Sequence, residues 1–205
     1  MPGKSVIHVV EDDRSMRESL LDLLEDAGYK VRAYNRAEEL LARCAALEPG
    51  CIVSDVRMPG VDGLTLLCRL RAAGSKLPLM LITGHGDVSM AVAAMKLGAV
   101  DFLEKPFEAD ALLAAIDVAL HPQQSDIGTV DAETARRSLQ KLTPREDEVF
   151  KRLVTGKANK EIAVELGISP RTVEFHRAHI MEKLAAKALP DLVRLWLSSN
   201  LAQSK

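Results

Sequence analysis

The sequence predicts an α/β fold, a five-stranded doubly wound parallel sheet, joined by a linker to a smaller all-α domain of four helices. Three observations carry that expectation. Short apolar runs alternate five times with helically spaced segments over residues 1–121. Beyond residue 121 nothing alternates like a strand, and apolar residues recur at helical spacing. Charge changes sign at the same place: residues 1–121 hold 13 Lys and Arg against 18 Asp and Glu, and residues 122–205 hold 14 against 11. An acidic module followed by a basic one points to two units with different partners.

Each element has its own signal. Val6–Val10 reads as a strand, and residues 14–27 place Met16, Leu20, Leu23 and Leu24 on one helical face that stops at Gly28. Asp13 or Ser15 is the candidate cap of that helix. Residues 30–34 read as a strand and 37–46 as a helix. Residues 51–54 form a short apolar strand delivering Asp55 at its end, and the helix at 64–73 is closed by Gly74. Residues 79–83 are a strand and 88–97 a helix closed by Gly98; residues 100–103 are a strand and 108–120 a helix. Such short apolar strands fit a parallel sheet buried on both faces.

From His121 to about Gln140 the pattern dissolves into a polar, turn-rich linker, within which "AETARRSLQKL" is compatible with a helix. Four helices follow, at 144–154, 160–166, 170–184 and 189–199. Thr143 and Ser169 each set a hydroxyl cap before a proline at the first helical position, and Gly156 and Gly167 mark helix ends. The expected domains are 1–121, a linker at 122–140, and 141–205.

Composition narrows the function. Cys44, Cys51 and Cys68 are odd in number and lack CxxC or Cys/His spacing, which argues against disulfides and zinc. The longest apolar run, residues 77–82, contains Pro78 and is too short to span a bilayer. Glu11, Asp12 and Asp13 come too early for a signal peptide. We therefore expect a cytoplasmic protein with no membrane association. No Gly-rich phosphate loop follows the first strand, which disfavours nucleotide binding.

The polar residues at the strand ends are more specific. In an open parallel sheet the functional crevice lies beyond the carboxyl ends of the strands. The first strand runs into Glu11–Asp12–Asp13, the third into Asp55, the fourth ends on Thr83, and the fifth leads to Lys105–Pro106. If these strands are neighbours, carboxylates, a hydroxyl and an ammonium converge on one rim. Clustered carboxylates are relieved by a hard cation with oxygen ligands, and Mg²⁺ fits. A carboxylate beside it can attack a phosphoryl group, with the metal and Lys105 neutralising the equatorial oxygens and Thr83 donating to one of them afterwards. The bland alternative is that a strand-end Asp only caps a helix or shapes a turn.

"VVEDD", "SDVRMPGVDG", "LITGHGD" and "DFLEKPF" together resemble the receiver domain of bacterial two-component response regulators, over roughly residues 4–120. The resemblance implies that Asp55 is the phosphoacceptor and that Glu11, Asp12, Asp55 and the backbone carbonyl of Arg57 hold Mg²⁺. It makes Thr83 the switch hydroxyl, Phe102 the switch aromatic and Lys105 the phosphate-pairing lysine. Glu11 departs from the Asp of many members, and Phe102 from the Tyr of some.

"LTPREDEVFKRLVTGKANKEIAVELGISPRTVEFHRAHIMEKL" has the pattern of a helix-turn-helix. Ile162, Ala163 and Leu166 form an apolar face, Gly167 makes the turn, Ile168 plugs it and Ser169 caps the second helix, whose Val173, Ile180 and Leu184 face the core. DNA contacts are expected from Lys160, Arg171, Thr172, Glu174, Phe175, Arg177 and Ala178, with Lys160, Arg171, Thr172 and Arg177 suited to phosphates. Glu174 either accepts from a cytosine amino group or pairs with Arg171 or Arg177. Phe175 either touches a thymine methyl or supports the helix. His176 and His179 read as packing or phosphate-facing, not as metal ligands.

This module resembles the LuxR-type DNA-binding domain over about residues 141–200, and the whole chain resembles FixJ-type regulators. That implies a sensor histidine kinase as phosphodonor, promoter DNA and RNA polymerase as partners, and transcription activation through a homodimer formed on phosphorylation. On this expectation Thr83 moves toward the phosphoryl oxygens and Phe102 turns inward. Two chains then pair through Val92, Met95 and Lys96, of which Val92 and Met95 are otherwise plain helix core. Two alternatives stay open: a metal-dependent phosphohydrolase with an Asp nucleophile, disfavoured because Arg57 stands where such enzymes need a second acid, and a constitutive DNA-binding protein with an inert receiver.

Overall fold

The computed structural model describes residues 5–84, 88–121 and 132–200. The chain divides into two compact units, one of residues 1–85 and 97–124, the other of residues 86–96 and 125–205.

The first unit is built on β1 (Val6–Val10), β2 (Lys30–Tyr34), β3 (Gly50–Asp55), β4 (Leu79–Thr83) and β5 (Asp101–Glu104). All pairs are parallel, in the order β2-β1-β3-β4-β5, with Val9 opposite Val53 and Asp55 opposite Ile82. The connecting helices are α1 (Arg14–Asp26), α2 (Ala37–Leu41) and α3 (Gly63–Ala72), followed by α4 (Val88–Lys96) and α5 (Ala109–Leu120). By sequence α4 continues the strand–helix alternation; its residues group with the second unit.

Strand alternation builds the core. Ile7, Val9, Cys51, Val53, Met80 and Ile82 point to one face and pack with Leu20 and Leu24 of α1 and Leu112 and Ile116 of α5. Leu81 points the other way, its Cδ2 against the start of α3. A Cβ on Gly63 would lie 2.4 Å from the Asp55 carbonyl oxygen, so only glycine lets the loop return this close to β3.

The helix expected at 37–46 is two pieces. α2 stops at Leu41, and a short 3₁₀ turn covers Cys44–Ala46. The chain must leave the helical path because Pro49 and Gly50 are held against β1: Val6 N–H donates to the Pro49 carbonyl, and a Cβ on Gly50 would strike the Val6 oxygen. Asp13, not Ser15, caps α1, its Oδ1 accepting from Met16 N–H at 2.7 Å.

The second unit contains α6 (Ala132–Leu139), α7 (Pro144–Leu153), α8 (Asn159–Leu166), α9 (Pro170–Lys183) and α10 (Leu189–Asn200). α6 lies within the expected linker, on the segment read as compatible with a helix, and packs against α10, burying Ala135. The rest of the expected linker, residues 122–131, lies outside the described residues. α7 and α8 both pack on α9 around Val149, Phe150, Leu153, Ile162, Val173 and Ile180. Leu184, expected in the core, is half-buried at the end of α9. Thr143 and Ser169 cap α7 and α9, and Gly167 takes the left-handed conformation, φ +64°, that ends α8.

Candidate functional site

Because β1, β3 and β4 are neighbours, their carboxyl ends share one rim, as does the end of β5. Glu11 follows β1, Asp55 ends β3, Thr83 ends β4, and Lys105 follows β5. Lys105 Nζ donates to Glu11 Oε2 at 2.7 Å and to Asp55 Oδ1 at 2.8 Å. Asp55 Oδ2 accepts from the Arg57 backbone N–H at 2.8 Å. Carboxylate oxygens of Glu11, Asp12 and Asp55 lie within 4.8 Å of one another. Glu11 and Asp55 are buried, at 2 % and 7 % exposed, whereas Asp12 is open to solvent.

The electrostatics follow from that packing. Burial pushes the Glu11 carboxyl above its usual range; the Lys105 hydrogen bond opposes this and the nearby Asp55 charge adds to it. For Lys105, burial acts downward, but its bonds to Asp55 and Glu11 outweigh it and hold the ammonium above its ordinary value. The oxygen-only donor set, with one ammonium facing it, fits a hard divalent cation such as Mg²⁺.

Thr83 is fully buried, and its carbonyl accepts from Lys105 N–H at 2.7 Å, which fixes the lysine root against β4. The Lys105–Pro106 bond is cis. Phe102, opposite Leu81 on β5, is 7 % exposed and so already occupies an inward position. Val92 and Met95 are buried, at 2 % and 4 % exposed, and so are not surface residues here; Lys96 is exposed, its Nζ 5.1 Å from the Trp196 ring centroid.

Two positioning contacts escaped sequence reasoning. Arg17 Nη1 donates to the Glu11 carbonyl at 2.7 Å and to that of Asp12 at 3.3 Å, holding the main chain of the acidic pair. Glu38 Oε1 accepts from Val61 N–H at 3.2 Å and lies where a Gly60 side chain would be, fixing the loop after Asp55. Gly60 has φ +80°, the conformation that glycine adopts without strain. Glu38 clamps backbone 23 positions away, which nothing in the local sequence marks, whereas Arg17 reaches back from α1 to carbonyls five and six positions before it.

In the second unit, Ser169 Oγ accepts from Thr172 N–H and lies 2.8 Å from the Thr172 hydroxyl. This starts α9 with Arg171, Glu174, Phe175 and Ala178 exposed and Thr172 and Arg177 half-buried; Lys160 is exposed in the first turn of α8. Phe175 is 58 % exposed, its ring 4.1 Å from that of His179. Among the described residues Lys160, Arg171, Glu174 and Arg177 make no ion pair. Glu174 is therefore not paired with Arg171 or Arg177 here.

Glu146 holds this helical face in place. It is 3 % exposed, completes a capping box with Thr143, and receives two bonds from Lys183 Nζ, at 2.9 and 2.6 Å. The lysine, with help from the Thr143 N–H, holds its carboxyl down to about 2. The tie joins the start of α7 to the end of α9.

Comparisons with known proteins fall on the same two modules. The family model described as response regulator receiver domain matches residues 7–117, and that described as bacterial regulatory proteins, luxR family, matches 140–196. The transcriptional regulatory protein FixJ of Azorhizobium caulinodans is 47 % identical over 203 residues, covering 98 % of this chain and 96 % of that protein. The tetrathionate response regulatory protein TtrR of Salmonella typhimurium is 40 % identical, covering 93 % and 91 %. Among solved structures, full-length FixJ from B. japonicum aligns with a TM-score of 0.56 at 45 % identity, over 97 % of this chain and 98 % of that one.

Proposed function

The chain belongs to the two-component response regulators that join a receiver domain to a LuxR-type DNA-binding domain, a FixJ-like transcription regulator, and we propose that a sensor histidine kinase controls it by phosphorylating Asp55. The observation that carries this is the Lys105 ammonium bridging Asp55 and the acidic pocket beside it.

In this reading an Asp55 carboxylate oxygen bonds to phosphorus as the P–N bond of the kinase phosphohistidine breaks. Arg57 N–H and Lys105 orient the carboxylate before attack, and Lys105 then pairs with a phosphoryl oxygen. Glu11, Asp12, Asp55 and the Arg57 carbonyl would hold Mg²⁺, which supplies charge neutralisation for the transferred group. Thr83 reaches toward a phosphoryl oxygen from the end of β4 and Phe102 keeps its inward position. Slow autodephosphorylation returns the site to its starting state.

We assign residues 1–121 to the receiver, 122–140 to the linker with α6, and 141–205 to the DNA-binding domain. Phosphorylation promotes homodimerisation through Val92, Met95 and Lys96, which requires the first two to become exposed. The dimer binds promoter DNA through Lys160, Arg171, Thr172, Glu174, Phe175, Arg177 and Ala178 and activates transcription by RNA polymerase, in the cytoplasm. The test is promoter binding and sizing of Asp55→Asn with and without acetyl phosphate: the variant is expected to lose the phosphodonor response, and a variant that keeps it overturns the assignment.

A further inference from the structure

A recess on the first unit, lined by none of the acidic-rim side chains, has an unusual floor. His8 sits mid-strand in β1 at 1 % exposed, and Tyr34 ends β2 at 8 % exposed. His8 Nδ1 is 3.3 Å from the Tyr34 hydroxyl, and Nε2 is 3.0 Å from the Glu48 carbonyl oxygen. A carbonyl only accepts, so in the neutral ring Nε2 carries the proton and Nδ1 accepts from the tyrosine. Over this floor lies a cavity of about 430 Å³, walled by Arg32, Arg43, Leu47 and Glu48. That is within the roughly 300–1,000 Å³ of small-molecule pockets.

The recess is bordered by the segment that follows α2: Arg43, Ala46, Leu47 and Glu48 line it, within and just after the 3₁₀ turn. Its walls carry two guanidiniums and one carboxylate. The carboxylate is already shared, Glu48 accepting from Lys30 Nζ at 2.5 Å and from Arg32 Nε at 3.1 Å. The Arg43 side chain, exposed at the mouth, has no hydrogen bond or ion pair with any described residue; only its main chain is bonded, to Leu40 and Ala46.

We propose that this recess binds a small organic monocarboxylate with a planar, apolar body. The planar fork of a guanidinium matches a carboxylate in two parallel bonds, and Arg43 has its donors uncommitted. The Tyr34 ring and Leu47 supply the apolar wall. With Glu48 shared by Lys30 and Arg32, Arg43 is the lining cation left uncommitted, and one guanidinium suits a single carboxylate. The Tyr34 carbonyl accepts from Glu11 N–H at 3.1 Å, which gives an occupant a main-chain route to the acidic rim.

Benzoate and inorganic phosphate are the probes, titrated into the ¹⁵N-labelled full chain and followed by NMR. Benzoate is expected to give saturable shifts at the amides of Tyr34, Leu47 and Glu48. In Arg43→Ala, with the remaining spectrum unchanged, affinity falls about tenfold, the weight of a lost charge-assisted bond. Arg43→Lys, which keeps the charge and loses the fork, falls between the two. Non-saturating shifts at millimolar benzoate, equal saturation in Arg43→Ala, or phosphate binding as tightly as benzoate would each overturn the proposal.

Discussion

Lys105 Nζ lies 2.8 Å from Asp55 Oδ1 across 50 positions of sequence, and the same ammonium is 2.7 Å from Glu11 Oε2. One cation thus keeps two buried carboxylates side by side. In Lys105→Ala they face each other uncompensated, and stability without Mg²⁺ is expected to fall by about 2 kcal/mol. Mg²⁺ takes over part of the neutralisation, so it raises the melting temperature of the variant more than that of the unsubstituted protein. Calorimetry with EDTA and with Mg²⁺ measures this; equal metal-induced shifts contradict it.

The Glu38 clamp on Val61 makes a separate prediction. Glu38→Ala frees the loop that carries Arg57 and slows acetyl-phosphate labelling of Asp55 about fivefold, the worth of one hydrogen bond of about 1 kcal/mol. Glu38→Gln keeps a side-chain oxygen acceptor and restores most of the rate. If both substitutions slow labelling equally, Glu38 acts by charge and not by holding the loop.

Acid should loosen the second unit through Glu146. Its folded carboxyl is held from 4.5 down to about 2, so its contribution is complete above about 4.5 and is lost as pH falls from there toward 2. A shift of that size corresponds to about 3 kcal/mol, and screening around the partly exposed Lys183 reduces the expected effect to about 1–2 kcal/mol. Urea unfolding followed by the single tryptophan, Trp196 in α10, reads this unit. The stability gap between the unsubstituted protein and Glu146→Gln is expected to be open at pH 7 and to narrow toward pH 3; a gap constant with pH contradicts the cause.

On DNA, Arg171 and Glu174 should behave differently. Arg171→Ala weakens binding across all sequences and lowers the salt slope by about 1, as loss of one phosphate contact requires. Glu174→Ala relaxes the preference at one base pair, by about 1–3 kcal/mol. Binding measured against a set of single-base variants at two salt concentrations separates the two. Uniform weakening by Glu174→Ala would remove it from base reading.

β1, β3 and β4 were legible as short apolar runs followed by polar residues, and Asp55 and Lys105 because they sit at strand ends, whereas β2, at the sheet edge, leaves Lys30, Arg32 and Ala33 exposed. Boundaries slipped at element ends: β5 is Asp101–Glu104, one position later than the expected 100–103, with Val100 N–H bonded to the Leu79 carbonyl of β4 just before it. α2 broke at a site with good helix formers because Pro49 and Gly50 are pinned to β1. Glu38 and the Glu146–Lys183 tie were illegible as roles, since each acts on groups that only the folded chain brings near.

The most direct measurement is intact mass after incubation with acetyl phosphate and Mg²⁺, with peptide mapping of the modified residue. One phosphoryl group on Asp55, absent in Asp55→Asn and strongly reduced by EDTA, is the expected result. Labelling elsewhere, or equal labelling without the divalent cation, would contradict a phosphoryl site built from Glu11, Asp12, Asp55 and Lys105.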